Sequence, residues 1–438
     1  MIPDVALLEI FHFYVDGSLR TAWHKLVHVC RKWRNVVLGS PRRLNLQLSC
    51  TARTPVRETI DAWPLLPILV WGSGHEIWGV DNIIAALEHN DRICYMDLND
   101  LPSSQMEKVI AAMQQPFPAL EGLFLDSPSE TEAIPASFLG GSAPQLQKLW
   151  LDHILFPGLP RLLLSATHLV AIHLLNIPHS GYFSPEAIVT SLSPLTSLET
   201  LWILFKSPRS RPDRRRRPPP LTRTLLPALT EFEFKGVSEY LDDLVARIDA
   251  PLLVKLDITF FHQLIFDTPQ LTQFICRTPN FKAFYAAEMQ FSELGVWIST
   301  IDEELSLGIW CRQSDWQLSS LAQVCSSVLI PTIEHLYIRE IAPLSWQDDI
   351  ETGQWLELLH RLTAVKDLYI SREFTPRIVT TLQELVGGRA TEALPALQTL
   401  FLEETLPSGI QETINKFVAA RELSGHPIAV SRWKDRNH

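Results

Sequence analysis

The sequence has few of the features that mark secreted proteins, membrane proteins or zinc-binding domains. Its six cysteines in 438 residues include no C-x-x-C pair, so neither a zinc ribbon nor a disulfide framework is predicted. No apolar run approaches the ~20 residues that cross a bilayer, and the first residues lack the basic region of a secretory signal. We therefore expect a protein of the cytoplasm, the nucleus or both, without membrane contact.

Catalytic and metal-binding motifs are equally scarce. Neither G-x-S-x-G nor a P-loop occurs, and Gly72 and Gly74 lack the third glycine of a dinucleotide-binding turn. His24 and His28 have the spacing of helical zinc ligands without an intervening Glu, and the acidic cluster at residues 348–351 lacks the glycine of a calcium loop. We expect no enzymatic activity, no cofactor and no metal.

The charge distribution argues against nucleic acid as a general partner. The net formal charge is −11, although residues 206–223 hold eight Lys or Arg against one Asp. An acidic surface repels a phosphate backbone. The basic segment is also rich in proline, so we expect a disordered insertion, with a nuclear-localisation signal or an RNA-binding arm as alternatives.

A repeat fills most of the chain. The pattern L-x-x-L-x-L, with other apolar residues allowed at the Leu positions, recurs about every 28 residues, within or close to the spacing of leucine-rich repeats. It starts at Leu66, Ile93, Leu120, Leu146, Leu169, Leu198, Leu229, Leu253, Phe281, Ile333, Val365 and Leu397. The long gap after Phe281 contains a strand-like segment at residues 305–309 and is predicted to hold two units. Each motif predicts one parallel strand, and segments such as 81–90 and 103–114 predict return helices. Asp81 is the predicted N-cap of the first helix, and Ser103 or Ser104 that of the second.

This repeat resembles leucine-rich repeats, and the resemblance implies an α/β solenoid over residues 49–438, with the parallel strands on the concave wall of a horseshoe. The family places Asn or Cys eight residues after the first Leu. Here that position holds residues such as Leu101, Pro128 and Ile154. We therefore expect an irregular horseshoe without the family's asparagine ladder.

The N-terminal residues carry a second motif. Residues 2–11 read Ile-Pro-Asp-Val-Ala-Leu-Leu-Glu-Ile-Phe, and residues 29–33 read Val-Cys-Arg-Lys-Trp. The first segment predicts a helix that is apolar on nearly every side, in a module too small to enclose it. Such an apolar surplus indicates a partner surface.

Together these segments resemble an F-box, with Val5 in place of the usual acidic residue. The resemblance implies a three-helix module over residues 1–48 that binds the Skp-type adaptor of a cullin–RING ubiquitin ligase. The adaptor-binding residues it implies are Ile2, Pro3, Leu7, Leu8, Ile10, Phe11, Val29, Cys30 and Trp33. The alternative is an apolar helix that caps the solenoid.

The order of the two motifs resembles that of the F-box/leucine-rich-repeat proteins, in particular the divergent set found in fungi. The function this implies is that of a substrate-recognition subunit of a Skp–cullin–F-box ligase, which holds an unknown target protein near the ubiquitin-conjugating enzyme. The alternative function is an interaction scaffold or ligand sensor without a ligase role.

One strand position of each repeat is predicted to point away from the core, onto the concave wall. Most of these positions are aromatic, a composition typical of interfaces. We predict that the target contacts Phe124, Trp150, His173, Trp202, Tyr285, Tyr337, Tyr369 and Phe401. A polar rim that includes Asp126 and Asp152 lies two residues further along. The alternative is that these aromatics follow β-propensity and merely stack along the sheet.

Overall fold

The structure, a computed structural model, divides into two compact units, residues 1–206 and 207–438. The described residues are 3–17, 26, 29–38, 46–62, 65–71, 78–208, 222–263, 265–281, 284–311, 317–323, 332–340, 352–385, 389–403 and 408–433. The division falls at the start of the basic segment 206–223. Residues 209–221 of that segment lie outside the described residues, so the disordered insertion stays a prediction.

Among the described residues at the start of the first unit, two helices have defined bounds. Helix α1 spans Asp4–Gly17, and helix α2 spans Arg31–Leu38. Buried side chains of these helices and Leu26 between them form one small apolar cluster of Leu7, Phe11, Leu26, Val36 and Val37, with Leu8 and Trp33 packed against it. Most of residues 18–28, where we expected a further helix with His24 and His28, lie outside the described residues.

Seven strands follow in the described part of the first unit, and each is parallel to the next in chain order. They are β1 (Leu46–Ser49), β2 (Ile68–Trp71), β3 (Ile93–Leu98), β4 (Gly122–Asp126), β5 (Lys148–Asp152), β6 (Ala171–Ile177) and β7 (Thr200–Phe205). The return segments contain α3 (Val56–Ala62), α4 (Val80–Leu87), α5 (Ser103–Ala112), α6 (Leu159–Ser165), α7 (Pro185–Leu192) and two 3-10 turns, Phe138–Gly141 and His179–Gly181. Strand β1 pairs with β2, so the sheet begins at Leu46, inside the range 1–48 predicted for the three-helix N-terminal module.

Side chains alternate between the two faces of each strand. In β5, Leu149 and Leu151 are buried, whereas Trp150 and Asp152 on the other face are half-buried. The return helices also bury apolar residues, such as Ile83 and Leu87 in α4. The core therefore lies between the strands and the returns. We call the other side of the strands the open face.

The second unit contains a mostly parallel sheet. Its strands, in spatial order, are β9 (Glu231–Gly236), β11 (Lys255–Phe261), β14 (Leu305–Trp310), β13 (Gly295–Thr300), β12 (Ala286–Ser292), β15 (His335–Glu340), β16 (Asp367–Ile370), β17 (Thr399–Glu403) and β18 (Ala429–Trp433). A separate parallel pair joins β8 (Thr224–Leu225) to β10 (Ile248–Asp249). The helices with defined bounds are α8 (Ser238–Val245), α9 (Pro269–Arg277), α10 (Thr352–Arg361), α11 (Thr375–Gln383) and α12 (Ser408–Leu423), with a 3-10 turn at Pro279–Phe281. Residues 317–323 are helical as well. Across the described parts of both units, the helices fall short of the length and hydropathy that a membrane span needs.

The prediction of two ordinary repeats between Phe281 and Ile333 is wrong. Strands β12, β13 and β14 form an antiparallel meander, and β14 rather than β12 lies beside β11. The predicted strand at residues 305–309 is present as β14. Strand β13 runs against its two neighbours, so one antiparallel strand interrupts an otherwise parallel sheet.

The repeat also predicts which alternate residues of each strand face the core. This strand phase is confirmed in ten of the twelve repeats, where all three apolar motif positions are buried. It is wrong by one residue in the repeat at Leu66, because Ile68 and Val70 are buried and Leu69 and Trp71 are not. It is also wrong after Phe281, where burial starts at Ala287. Two predicted helix caps are wrong as well. Helix α4 begins after Gly79 instead of Asp81, and α5 begins after Pro102 without a serine cap.

Apolar residues and left-handed turns replace the asparagine ladder at the strand ends of the first unit. Leu101 and Ile154, at two of the ladder positions, are buried. Nearby, Asp100, His153 and Asn176 have φ of 55°, 57° and 46°. Asp and Asn tolerate this conformation better than most residues because their short polar side chains bond locally. The turns therefore place polar side chains at the carboxyl ends of β3, β5 and β6.

Candidate functional site

Four ring-bearing side chains lie in register on the open face of the first unit. The strand pairing aligns Phe124 with Trp150, Trp150 with His173, and His173 with Trp202. We call these four residues the Trp150 row. Each is half-buried, as expected for a strand position that faces away from the core. The structure thus aligns them as the repeat predicted, while partner binding stays a prediction.

The rings of the Trp150 row contact one another without forming a regular stack. Trp150 and His173 lie parallel, with centroids 4.7 Å apart, whereas His173 and Trp202 meet at 61°. The indoles of Trp150 and Trp202 are 5.9 Å apart although they stand on strands two steps apart. Two strand spacings amount to about 10 Å. The two indoles therefore lean towards each other across His173.

A cluster of two aspartates and a histidine lies beside this row, with the aspartates two residues further along the strands. The ligand atoms of Asp126, Asp152 and His153 all lie within 4.8 Å of one another, close enough for one cation. We call them the Asp152 cluster. His153 Nδ1 is 2.9 Å from Asp152 Oδ1, and Asn176 Nδ2 donates to the same oxygen at 2.8 Å. Burial raises the pKa of Asp126, and the charges of Asp152 and Asp100 raise it further.

A second set of rings lies on the open face of the second unit. The pairing aligns Glu288, Tyr337, Tyr369 and Phe401. Tyr285 precedes β12 and is 66% exposed, so its predicted place in this column is wrong and Glu288 occupies it. Tyr337, Tyr369 and Phe401, the Tyr369 row, stack with centroids 4.1 and 4.2 Å apart and interplanar angles of 13° and 5°.

The Tyr369 row is also contacted by neighbours. The ring of Trp433 lies across Tyr337 and Tyr369, and its Nε1 donates to the Ile370 carbonyl at 3.3 Å. The guanidinium of Arg339 lies 5.3 Å from the Tyr337 ring and 3.3 Å from a carboxylate oxygen of Glu288. The rings of this row and the charges of Arg339 and Glu288 therefore already have partners within the protein.

A pair of carboxyl groups occupies the same column on β9 and β11. Glu233 and Asp257 are paired in the strand register, and both are half-buried. Burial raises the pKa of Glu233 to about 7, and the charge of Asp257 adds to the shift. Burial also raises the pKa of Asp257 and lowers that of Lys235, whose Nζ lies 3.9 Å from the Trp310 ring.

The predicted adaptor-binding residues divide into two sets. Leu7 and Phe11 are buried in the core of the N-terminal module, and Leu8 and Trp33 pack against it. Ile10 and Val29 are 52% and 57% exposed, and Pro3 and Cys30 are exposed as well. Val5, which the resemblance did not assign to the contact, is 66% exposed. Ile2 lies outside the described residues. The available apolar surface is thus smaller than predicted and includes Val5.

The other groups of residues with catalytic potential either lie outside the described residues or include a buried side chain. Gly72, Gly74 and the acidic cluster at residues 348–351 fall outside the described residues. His262 Nδ1 lies 3.3 Å from Ser320 Oγ, but Ser320 is 2% exposed, and such burial keeps a substrate from its hydroxyl. The expectation that the protein performs no chemistry therefore stays a prediction.

Sequence reasoning identified Asp126 and Asp152 as rim residues but missed His153 and Asn176. The available signal was the recurring sequence Leu-x-Leu-Asp, which ends both β4 and β5. Grouping the residues also required the pairing of β4 with β5 and of β5 with β6. That pairing follows from the repeat, but the left-handed turn at His153 does not.

No protein-family model matches the sequence, and no curated protein matches it. Among solved structures, the chain is similar to the leucine-rich-repeat-containing protein LegL7 from Legionella pneumophila. The two share 12% identity over 85% of this chain and 97% of the other, with a TM-score of 0.28.

Proposed function

We propose that the protein is a non-catalytic receptor of the leucine-rich-repeat type that binds a target protein on the open face of its sheet. The observation that carries this proposal is the Trp150 row, in which four half-buried rings lie side by side on solvent-facing strand positions. Such positions are mostly polar in a sheet with one solvated face. Large aromatic side chains dominate the binding energy of protein interfaces.

We further propose that the N-terminal module binds a Skp-type adaptor and thereby joins the receptor to a cullin-based ubiquitin ligase. The support is the F-box-like sequence and the three exposed apolar side chains of Val5, Ile10 and Val29. A module of about 45 residues that leaves such side chains in water gains from covering them.

An interaction scaffold without a ligase role is the second candidate. The observation that favours it is the burial of Leu7 and Phe11 inside the module, at 4% and 1% exposure. Two of the side chains that the F-box resemblance assigns to the adaptor already have intramolecular partners. The module could then serve as an apolar cap for the repeats.

Adaptor pull-down with the full chain separates the two candidates. Ile10→Asp with Val29→Asp puts two charges on the exposed apolar surface, and it should abolish adaptor capture because burying an unpaired carboxylate costs several kcal/mol. Leu423→Asp, at a site 90% exposed in the second unit, is the matched control and should leave capture unchanged. Wild-type protein that captures no adaptor would reject the ligase role and leave the scaffold.

A further inference from the structure

The side chains around the Trp150 row carry charge of mainly one sign. On the open face of β3 to β7, the charged strand residues are Asp97, Asp126, Asp152 and Lys148. Lys148 stands at the start of β5, whereas Asp152 stands at its end, so this cation lies on the far side of Trp150 from the Asp152 cluster. Lys206, directly after β7, is paired with Glu130 at 3.2 Å. Rings and carboxylates therefore adjoin each other along one edge of the row.

The spacing of these groups suits one long cationic side chain. Trp150 and Asp152 are two residues apart on the same face of β5, and so are Phe124 and Asp126 on β4, which corresponds to about 7 Å. An arginine side chain has an apolar stem that packs on an aromatic ring and a planar head that pairs with carboxylates. Lysine offers a point charge that neither stacks in this way nor bonds two carboxylates in a fixed geometry.

We propose that the Trp150 row and the Asp152 cluster together form a docking site for an arginine-containing segment of a partner protein. The stem of the arginine lies across the Trp150 indole, and its guanidinium reaches the carboxylates of Asp126 and Asp152. This inference deepens the proposed function, on which it rests, because it gives the chemistry of the segment that the receptor recognises. The acidic edge disfavours phosphate-bearing partners, among them nucleic acids and phosphopeptides.

The second unit does not offer the same chemistry. Arg339 already fills the place of a cationic ligand there, beside the Tyr337 ring and the Glu288 carboxylate. That internal arrangement shows within this fold how a guanidinium is held between a ring and an acid on the open face. In the first unit the ring and the acids are present, and the strands β3 to β7 place no arginine on that face.

Fluorescence anisotropy with the full chain and a labelled (Arg-Ser-Gly)₄ peptide tests the proposal. The comparison peptides replace Arg by Lys, by Gln or by Glu. We expect the Arg peptide to bind most tightly, the Lys peptide more weakly, and the Gln and Glu peptides not at all. Binding should weaken as salt increases, because the carboxylates are partly exposed. Equal binding of the Arg and Gln peptides would overturn the proposal.

Two variants and one control locate the site. Trp150→Ala with Trp202→Ala should weaken Arg-peptide binding about 30-fold or more, as truncation of aromatic anchors does. Asp126→Asn with Asp152→Asn should weaken it about tenfold and remove most of the salt dependence. Tyr369→Ala, in the other row, should leave it unchanged. Circular dichroism confirms that each variant is folded, and loss of binding in the Tyr369 control alone would place the site in the second unit and overturn the proposal.

The remaining outcomes distinguish failure of the arginine site from failure of the proposed function on which it rests. Zn²⁺ or Mn²⁺ binding that depends on Asp126 and Asp152, with peptide binding unaffected by their substitution, would make the cluster a metal site and overturn the peptide proposal. Failure of every peptide together with intact adaptor capture would reject the arginine site and leave the receptor function standing. Intact peptide binding without adaptor capture would reject the ligase role and leave the arginine site standing.

Discussion

The pH dependence of stability should change when Glu233 is replaced by Gln. Burial and the neighbouring charge of Asp257 raise the pKa of Glu233 from 4.5 to about 7 in the folded protein. The folded state therefore holds a proton on this group that the unfolded state has already lost between pH 4.5 and 7. Stability from this group is complete below pH 4.5 and is lost as the pH rises through 7.

The size of the effect follows from the shift. A change from 4.5 to about 7 corresponds to about 3 kcal/mol. Because Glu233 is only half-buried, solvent screening reduces the expected effect to about 1–2 kcal/mol. Gln has the same shape and no charge, so Glu233→Gln should match the wild type near pH 4 and exceed its free energy of unfolding by about 1–2 kcal/mol near pH 8.

Urea unfolding at several pH values between 4 and 8 measures this difference. Glu422→Gln removes one carboxyl from an exposed site of the same unit and serves as the control, with the wild-type pH dependence expected. A stability difference between Glu233→Gln and wild type that is constant with pH would refute the reasoning. So would a variant that is less stable at pH 8, because Glu233 would then stabilise the fold in its charged form.

Two further changes test packing in the second unit by the same urea measurement. Arg421 is fully buried and donates to the carbonyls of Ala390, Leu394 and Leu397 at 3.1, 3.4 and 3.1 Å. Arg421→Leu should lower the free energy of unfolding by roughly 3–5 kcal/mol because it removes the guanidinium donor from the buried Ala390 and Leu397 carbonyls. An unchanged midpoint would show that water replaces the guanidinium. A Cβ at Gly295 would overlap the Ile309 carbonyl oxygen, so Gly295→Ala should cost about 1–3 kcal/mol, whereas Gly353→Ala in α10, with open space around it, should cost nothing. Equal effects of the two alanines would contradict the close approach of β13 and β14.

The repeat predicted most of the strands because burial sets the periodicity. Where polar and apolar residues alternate, as in Lys148-Leu149-Trp150-Leu151-Asp152, only one phase buries the leucines. The run Ile68-Leu69-Val70-Trp71 is apolar at every position, so either phase satisfies the motif and the prediction chose the wrong one. Phe284 and Ala286 filled the motif positions after Phe281 by coincidence, one residue out of phase with the strand that follows.

Three of the features that sequence reasoning missed depend on contacts between distant residues. The meander of β12 to β14 reverses the spatial order of three strands, and a strand pattern alone does not specify which neighbour it pairs with. Arg421 reads as an ordinary surface residue of α12 until the carbonyls that surround it, 24 to 31 residues away, are known. The Asp152 cluster joins residues of two repeats through a left-handed turn at His153.

The two rows of rings show why aromatic strand positions alone do not identify a binding site. Tyr337, Tyr369 and Phe401 stack nearly parallel at 4.1 and 4.2 Å and are crossed by Trp433, so their faces are already in contact with other rings. Cross-strand stacking of this kind stabilises a sheet by itself. Trp150 and Trp202 are tilted by 58° to each other, and the carboxylates beside them have no arginine of their own strands on that face. Irregular rings beside a group of carboxylates leave more interaction energy for a partner than a closed stack does, and for this reason we propose the binding role for the Trp150 row.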